Sequence, residues 1–314
     1  MARDRHPDPR PADSACAALA KALSGRRFQD IARAAEQAGE QLCYTLEPDL
    51  IAAFRRLAAL DHKRDPSCTA KGAIARALVQ LDCLDAGFFR EGIVVRQPEP
   101  VWGGTVDTAA DVRASCAMGL AASGDPRALI ALVDLLADPE LRARIGAVRA
   151  IGCTEPLAAE AVLRVKVLAG DEEPEVIGEC VAALLQLEPD LSPAFVARLL
   201  DGPDEEIAEY AALALGESRL DAAVAELRAR WEAQPLKGPR ERVLLRAAVL
   251  ARNEAAFDWL LGLVEHADTA TAVFLVQGLA VYRGNARLAG RLRQRLETRG
   301  EDTVSMEFET YWSG

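Results

Sequence analysis

The side chains able to do chemistry are few and scattered. Histidines stand at His6, His62 and His266, and cysteines at Cys16, Cys43, Cys68, Cys83, Cys116, Cys153 and Cys180. A zinc or nucleophile site gathers Cys and His at short spacing. Here no CxxC pair occurs and no histidine stands in local register with a cysteine. The spacing therefore predicts no metal, no cofactor and no catalytic residue. The segment Met1–Pro11 is charged and proline-rich, unlike a secretory leader, and the cysteine count is odd. Together these predict reduced thiols in a cytoplasmic protein. What remains is recognition chemistry, carried by arginines and tryptophans whose value depends on where the chain places them.

The elements that place them are helices. Ala (60) and Leu (41) fill 101 of 314 positions, against 16 aromatics, so strong helix formers dominate and sheet formers are scarce. No apolar run is long enough to span a bilayer. Six segments end in a small or β-branched residue followed by an aliphatic one: Gly119-Leu120, Ala150-Ile151, Ala183-Leu184, Ala214-Leu215, Val249-Leu250 and Gly278-Leu279. Their spacings are 31, 33, 31, 35 and 29 residues, and the residue three before each aliphatic is again small or β-branched. That recurrence marks one helix face on which neighbours approach closely. A second apolar helix follows each, and prolines at Pro139, Pro174, Pro203 and Pro239 punctuate the units. Pairs of about thirty residues cannot bury their faces alone and must stack.

The stretches "VRASCAMGLAASGDPRALIALVDLLADPE" and "EEIAEYAALALGESRLDAAVAELRARW" resemble HEAT repeats of the short bacterial PBS-lyase-like kind. The resemblance spans residues 105–297 and implies an all-α, right-handed α-solenoid (an alpha-alpha superhelix) of about eight helix–turn–helix units. Upstream, Phe28–Gly39 with Pro48–Leu60 and Ser67–Cys83 with Asp85–Gly92 read as two degenerate units, within a region 15–104 that ends in the insertion "IVVRQPEPVWGGTVD". Residues 1–14 read as a disordered tail and 298–314 as a tail or cap, its Val304, Met306 and Phe308 alternating like an extended segment.

Charge narrows the partners. Residues 1–100 carry a net +1 and residues 101–314 a net −12, which argues against nucleic acid or an anionic membrane as a general partner. Acidic residues concentrate in the turns, where they cap helices. Arg164, Arg198, Arg228 and Arg293 share one register and predict a ladder on the concave second-helix face, suited to carboxylates or phosphates; the competing reading is side chains lying beside the core. Trp231 and Trp259 fall on second helices, either as packing between repeats or as interaction residues. Trp102 either seals the gap at the insertion or anchors a partner. HEAT-like iron hydroxylases carry His-Glu pairs, and this chain has none. The expectation is a non-catalytic scaffold or adaptor that binds a protein partner. The alternatives are a DNA-glycosylase-like or bilin-lyase-like enzyme, or a subunit docking through its C-terminal segment.

Overall fold

The computed structural model describes residues 11–234 and 238–312, and divides into two compact units, residues 1–163 and 164–314. A leading helix α1 (Pro11–Leu23) precedes eight helix pairs. The first four are α2 (Phe28–Glu40) with α3 (Glu47–Ala58), α4 (Thr69–Gln80) with α5 (Ala86–Gly92), α6 (Ala110–Ala122) with α7 (Ala128–Leu135), and α8 (Leu141–Ile151) with α9 (Pro156–Ala169). The next four are α10 (Pro174–Leu187) with α11 (Ser192–Ala197), α12 (Glu205–Glu217) with α13 (Asp221–Ala233), α14 (Pro239–Ala251) with α15 (Glu254–His266), and α16 (Thr269–Leu279) with α17 (Ala286–Arg299). Helix α18 (Asp302–Trp312) closes the described chain. The fold is all-α, built from repeated helix pairs as the periodicity predicts. Its one sheet among the described residues is a hairpin of β1 (Pro98–Val101) and β2 (Gly104–Asp107).

The helices start where short polar side chains meet free N–H groups. Asp85, Asp204, Asn253, Asp268 and Asn285 each accept a backbone N–H of the following first turn. Of the acidic turns, that at Asp204 caps its helix, whereas Glu140 and Glu173 make no side-chain cap and Asp138 and Asp201 pair with arginines. In the first unit α2 packs on α4, α4 on α6 and α6 on α8. In the second, α10, α12, α14, α16 and α18 stack in order, with α11, α13, α15 and α17 stacked beside them. Small residues set this spacing. A Cβ on Gly146 would lie 2.4 Å from the Ala114 Cβ, and one on Gly216 would lie 2.1 Å from the Ala247 carbonyl oxygen.

Four features depart from the sequence reading. Residues 1–10, with His6, lie outside the described residues, but the remainder of the expected tail begins α1. The C-terminal segment is helical: Val304, Phe308 and Trp312 are buried at i, i+4, i+8 while Met306 is exposed. The spacing of 304 to 308 fits both periods, and packing against α16 and α17 selects the helical one. The insertion forms the hairpin. Finally, Cys16 and Cys43 form a disulfide, with Cα atoms 6.1 Å apart, so the thiols are not all reduced.

Candidate functional site

The hairpin is the feature that repeat packing does not require. Its strands pair Val101 with Gly104 and Glu99 with Val106, leaving Trp102 and Gly103 as a two-residue turn. Gly103 sits at φ +94°, in the left-handed region where a Cβ is disfavoured. Trp102 is fully exposed at the tip, flanked by half-exposed Val101 and Val106. It does not seal the gap between units, which corrects one of the two sequence readings. Thr108 N–H donates to the Gln97 carbonyl, so the hydrogen-bonded pairs are 97/108, 99/106 and 101/104. Pro98 and Pro100 therefore turn their nitrogens outward, where no ladder bond is lost.

A buried polar network fixes the base of this hairpin. Arg113, fully buried, donates from Nη1 to Asp107 Oδ2 (2.7 Å) and the Val95 carbonyl, and from Nη2 to Asp138 Oδ1 (2.8 Å). Arg96 reaches the other Asp138 oxygen at 2.7 Å. Asp107 also accepts from the N–H groups of Gln97 and Ala109. On the other strand Glu99 Oε1 accepts from Ser67 N–H, Gln97 Nε2 and Thr108 Oγ1. Gln97 also donates to the Asp65 carbonyl. The Asp65 carboxylate accepts the Ala70 and Lys71 amides at the start of α4 and pairs with Lys71 Nζ at 3.0 Å, both side chains buried. Desolvation pushes the Asp107 and Glu99 carboxyls up, but their hydrogen bonds together outweigh it and hold both below the usual carboxylate range. Ser67 and Cys68 at this junction hold left-handed φ values of +56° and +51°, a costly conformation maintained by the surrounding contacts. Only the Gly-Gly and the proline pair signalled a turn here; nothing local marked Arg113, Asp138 or Asp65 as its foundation.

The arginine register falls on the second unit. Arg164 and Arg198 both lie against the ring of Phe195, at 4.5 and 5.7 Å. Arg293 stacks on Phe308 at 5.2 Å. Arg228 pairs with Glu232 one turn on, at 2.7 Å. Arg198, Arg228 and Arg293 are exposed. The four thus lean on neighbouring rings and acids, and three keep charge at the surface. Trp231 and Trp259 are both buried, which agrees with the packing alternative and corrects the interaction one, because a buried ring is withdrawn from any partner.

Four of the five free thiols are buried, and Cys153 is exposed. Burial pushes Cys180 up to about 12 and raises Cys116 still further, as small apolar fillers in the stack. Burial likewise raises Cys68 and Cys83. Among the described residues no three His, Cys, Asp or Glu side chains gather as a metal site. A pocket of about 630 Å³ in the second unit is floored by Leu200, Ala208 and Leu244 and rimmed by Asp201, Glu205 and Glu209, with Arg230 paired to Asp201. No helix among the described residues is long and apolar enough to cross a membrane.

These features define an all-α protein of stacked helix pairs carrying, among the described residues, one hairpin anchored at its base by buried ion pairs. No protein-family model matches the chain, and no curated protein matches it. Among solved structures it is similar to an engineered protein, at TM-score 0.38 and 17% identity, over 97% of this chain and 91% of that one. It is also similar to the complex of CpcE and CpcF of phycocyanin lyase from Nostoc, at TM-score 0.35 and 14% identity, over 95% and 99%. Human deoxyhypusine hydroxylase in complex with glycerol matches at TM-score 0.32 and 17% identity, over 87% and 98%.

Proposed function

We propose that this chain is a HEAT-like, non-catalytic scaffold or adaptor that binds a protein partner through Trp102 and a charged second-helix face. The observation that carries the reading is Trp102, a large aromatic side chain left fully exposed on a hairpin that buried ion pairs hold in place. An exposed indole contributes nothing to the stack, whereas Trp is among the residues most enriched at interface hot spots. Lys63 and Arg64 are exposed in the 62–64 turn beside Asp61 and form no ion pair among the described residues, which suits a partner with an acidic rim. Arg198, Arg228 and Arg293 offer a second contact row. The inward-facing apolar side of α18 supports a capping role for the C-terminal segment over docking.

The test compares wild type with Trp102→Ala and with the Arg198→Glu/Arg228→Glu/Arg293→Glu triple variant. Partners captured by wild type are identified and their Kd values measured against all three. Trp102→Ala is expected to weaken binding at least tenfold with an unchanged melting temperature. Equal affinity for wild type and both variants would overturn the reading, as would turnover of a substrate by the purified chain.

A further inference from the structure

We propose that Cys16 and Cys43 form a redox latch that decides whether α1 stays docked on the first helix pair. Cys16 lies in α1 and Cys43 in the turn after α2, 27 residues on. The repeat itself shows that this cross-link is an addition to the fold. Cys83 holds the matching place in the turn after α4: Cys43 N–H donates to the Ala38 carbonyl and Cys83 N–H to the Leu78 carbonyl. The residues before them, Leu42 and Asp82, take left-handed φ values of +51° and +49°. Both turns are the same helix-ending motif, in which the residue after the left-handed one packs back on the helix. Cys83 does this as a buried free thiol. The turn therefore needs only the small apolar body of a cysteine, and the bond to Cys16 serves α1.

Apart from the bond, α1 rests on α2 and, to a lesser extent, on α3. Leu19 and Leu23 are its buried apolar side chains among the described residues, and Arg56 donates from Nη2 to the Leu23 carbonyl at 2.6 Å. A 13-residue helix is marginal by itself, so its order depends on docking. Tethering it across a 27-residue loop raises the docked population by roughly two orders of magnitude through loop-closure entropy. The latch is reachable, because Cys16 is half-buried whereas Cys43 is buried. A small thiolate attacks the Cys16 sulfur and breaks the S–S bond. This leaves a mixed disulfide at Cys16 and releases Cys43 as a thiolate, which takes up a proton. A second small thiol resolves the mixed disulfide, giving the Cys16 thiol and a small disulfide. One protein disulfide and two thiols thus become two protein thiols and one small disulfide, and glutathione disulfide drives the reverse. Reduction frees α1 and uncovers the faces of α2 and α3 beneath it. This device is independent of the Trp102 reading.

Amide exchange and trypsin cleavage at the exposed Lys21 are followed on the full chain, oxidised with glutathione disulfide and then reduced with dithiothreitol. Reduction is expected to speed exchange across residues 17–23 about a hundredfold and to open Lys21 to cleavage, while α4, α6 and α8 stay protected. Reoxidation restores the first state. Cys16→Ser, outside the repeated turn, behaves as the reduced chain under both conditions, and Cys83→Ser keeps the full redox response. Equal protection of α1 in the oxidised and reduced chains overturns the latch, as does a count of seven free thiols after glutathione disulfide treatment.

Discussion

Replacing Arg113 by Met tests whether the hairpin stands on its buried charges. The guanidinium is fully buried and bridges three acceptors: Asp107, Asp138 and the Val95 carbonyl. Met fills much of the volume but satisfies none of them. Removing one partner of a buried ion pair costs about 3–5 kcal/mol, because a charge is left in a poorly solvated place. Arg96 still reaches Asp138 at 2.7 Å, and backbone amides still donate to both carboxylates, so the lower end, about 3 kcal/mol, is expected. For a unit of this size that lowers the melting temperature by about 10 °C. Urea unfolding of wild type, Arg113→Met, Asp138→Asn and the double variant gives the coupling directly. The reasoning requires a coupling above about 1 kcal/mol. The triple variant with Asp107→Asn and Asp138→Asn should regain part of the loss, because no buried charge is left unpaired. A loss under 1 kcal/mol for Arg113→Met, or strict additivity with Asp138→Asn, would refute the account.

Three further outcomes are expected. Asp107 and Glu99 have folded values below their unfolded ones, so their stabilisation is present above about pH 4 and is lost as pH falls through the depressed values; hairpin amides 97–108 should lose exchange protection there before α6 does, and unchanged protection at pH 3 would contradict this. Gly216→Ala should destabilise the second unit by about 1–3 kcal/mol in urea, since its Cβ would meet the Ala247 backbone at 2.1 Å, whereas Gly262→Ala, with open space around it, should not. Thiol labelling at pH 8 should modify exposed Cys153 within minutes and leave Cys116 and Cys180 unmodified until the chain unfolds.

What the sequence revealed follows the range of the interactions. The helix pairs were legible because their signal is local and repeated: a small residue before Leu120, Ile151 or Leu215 reports a neighbour's approach wherever it falls. The degenerate pairs before residue 93 were found by the same face periodicity. The hairpin was seen only as an insertion, because its stability comes from Arg113 and Asp138, 6 and 31 residues beyond Asp107. Helix α18 was misread because Val304 and Phe308 fit two periods, and only the face they cover decides between them. The Cys16–Cys43 bond was invisible because pairing depends on Cα separation, which cysteine parity does not encode.

The prolines of the hairpin have a colloidal consequence. A short sheet with an apolar tip and two open edges is a template for joining another chain, edge to edge. Along β1 the two outward positions are Pro98 and Pro100, so that edge has no N–H to offer an incoming strand. Along β2 the outward positions are Thr105 and Asp107, whose backbone groups leave that edge open, while the Asp107 carboxylate anchors its end to Arg113 and two backbone amides. The prolines thus block strand addition along β1 beside the exposed Trp102, and replacing both by Thr should show first as turbidity, before any change in melting.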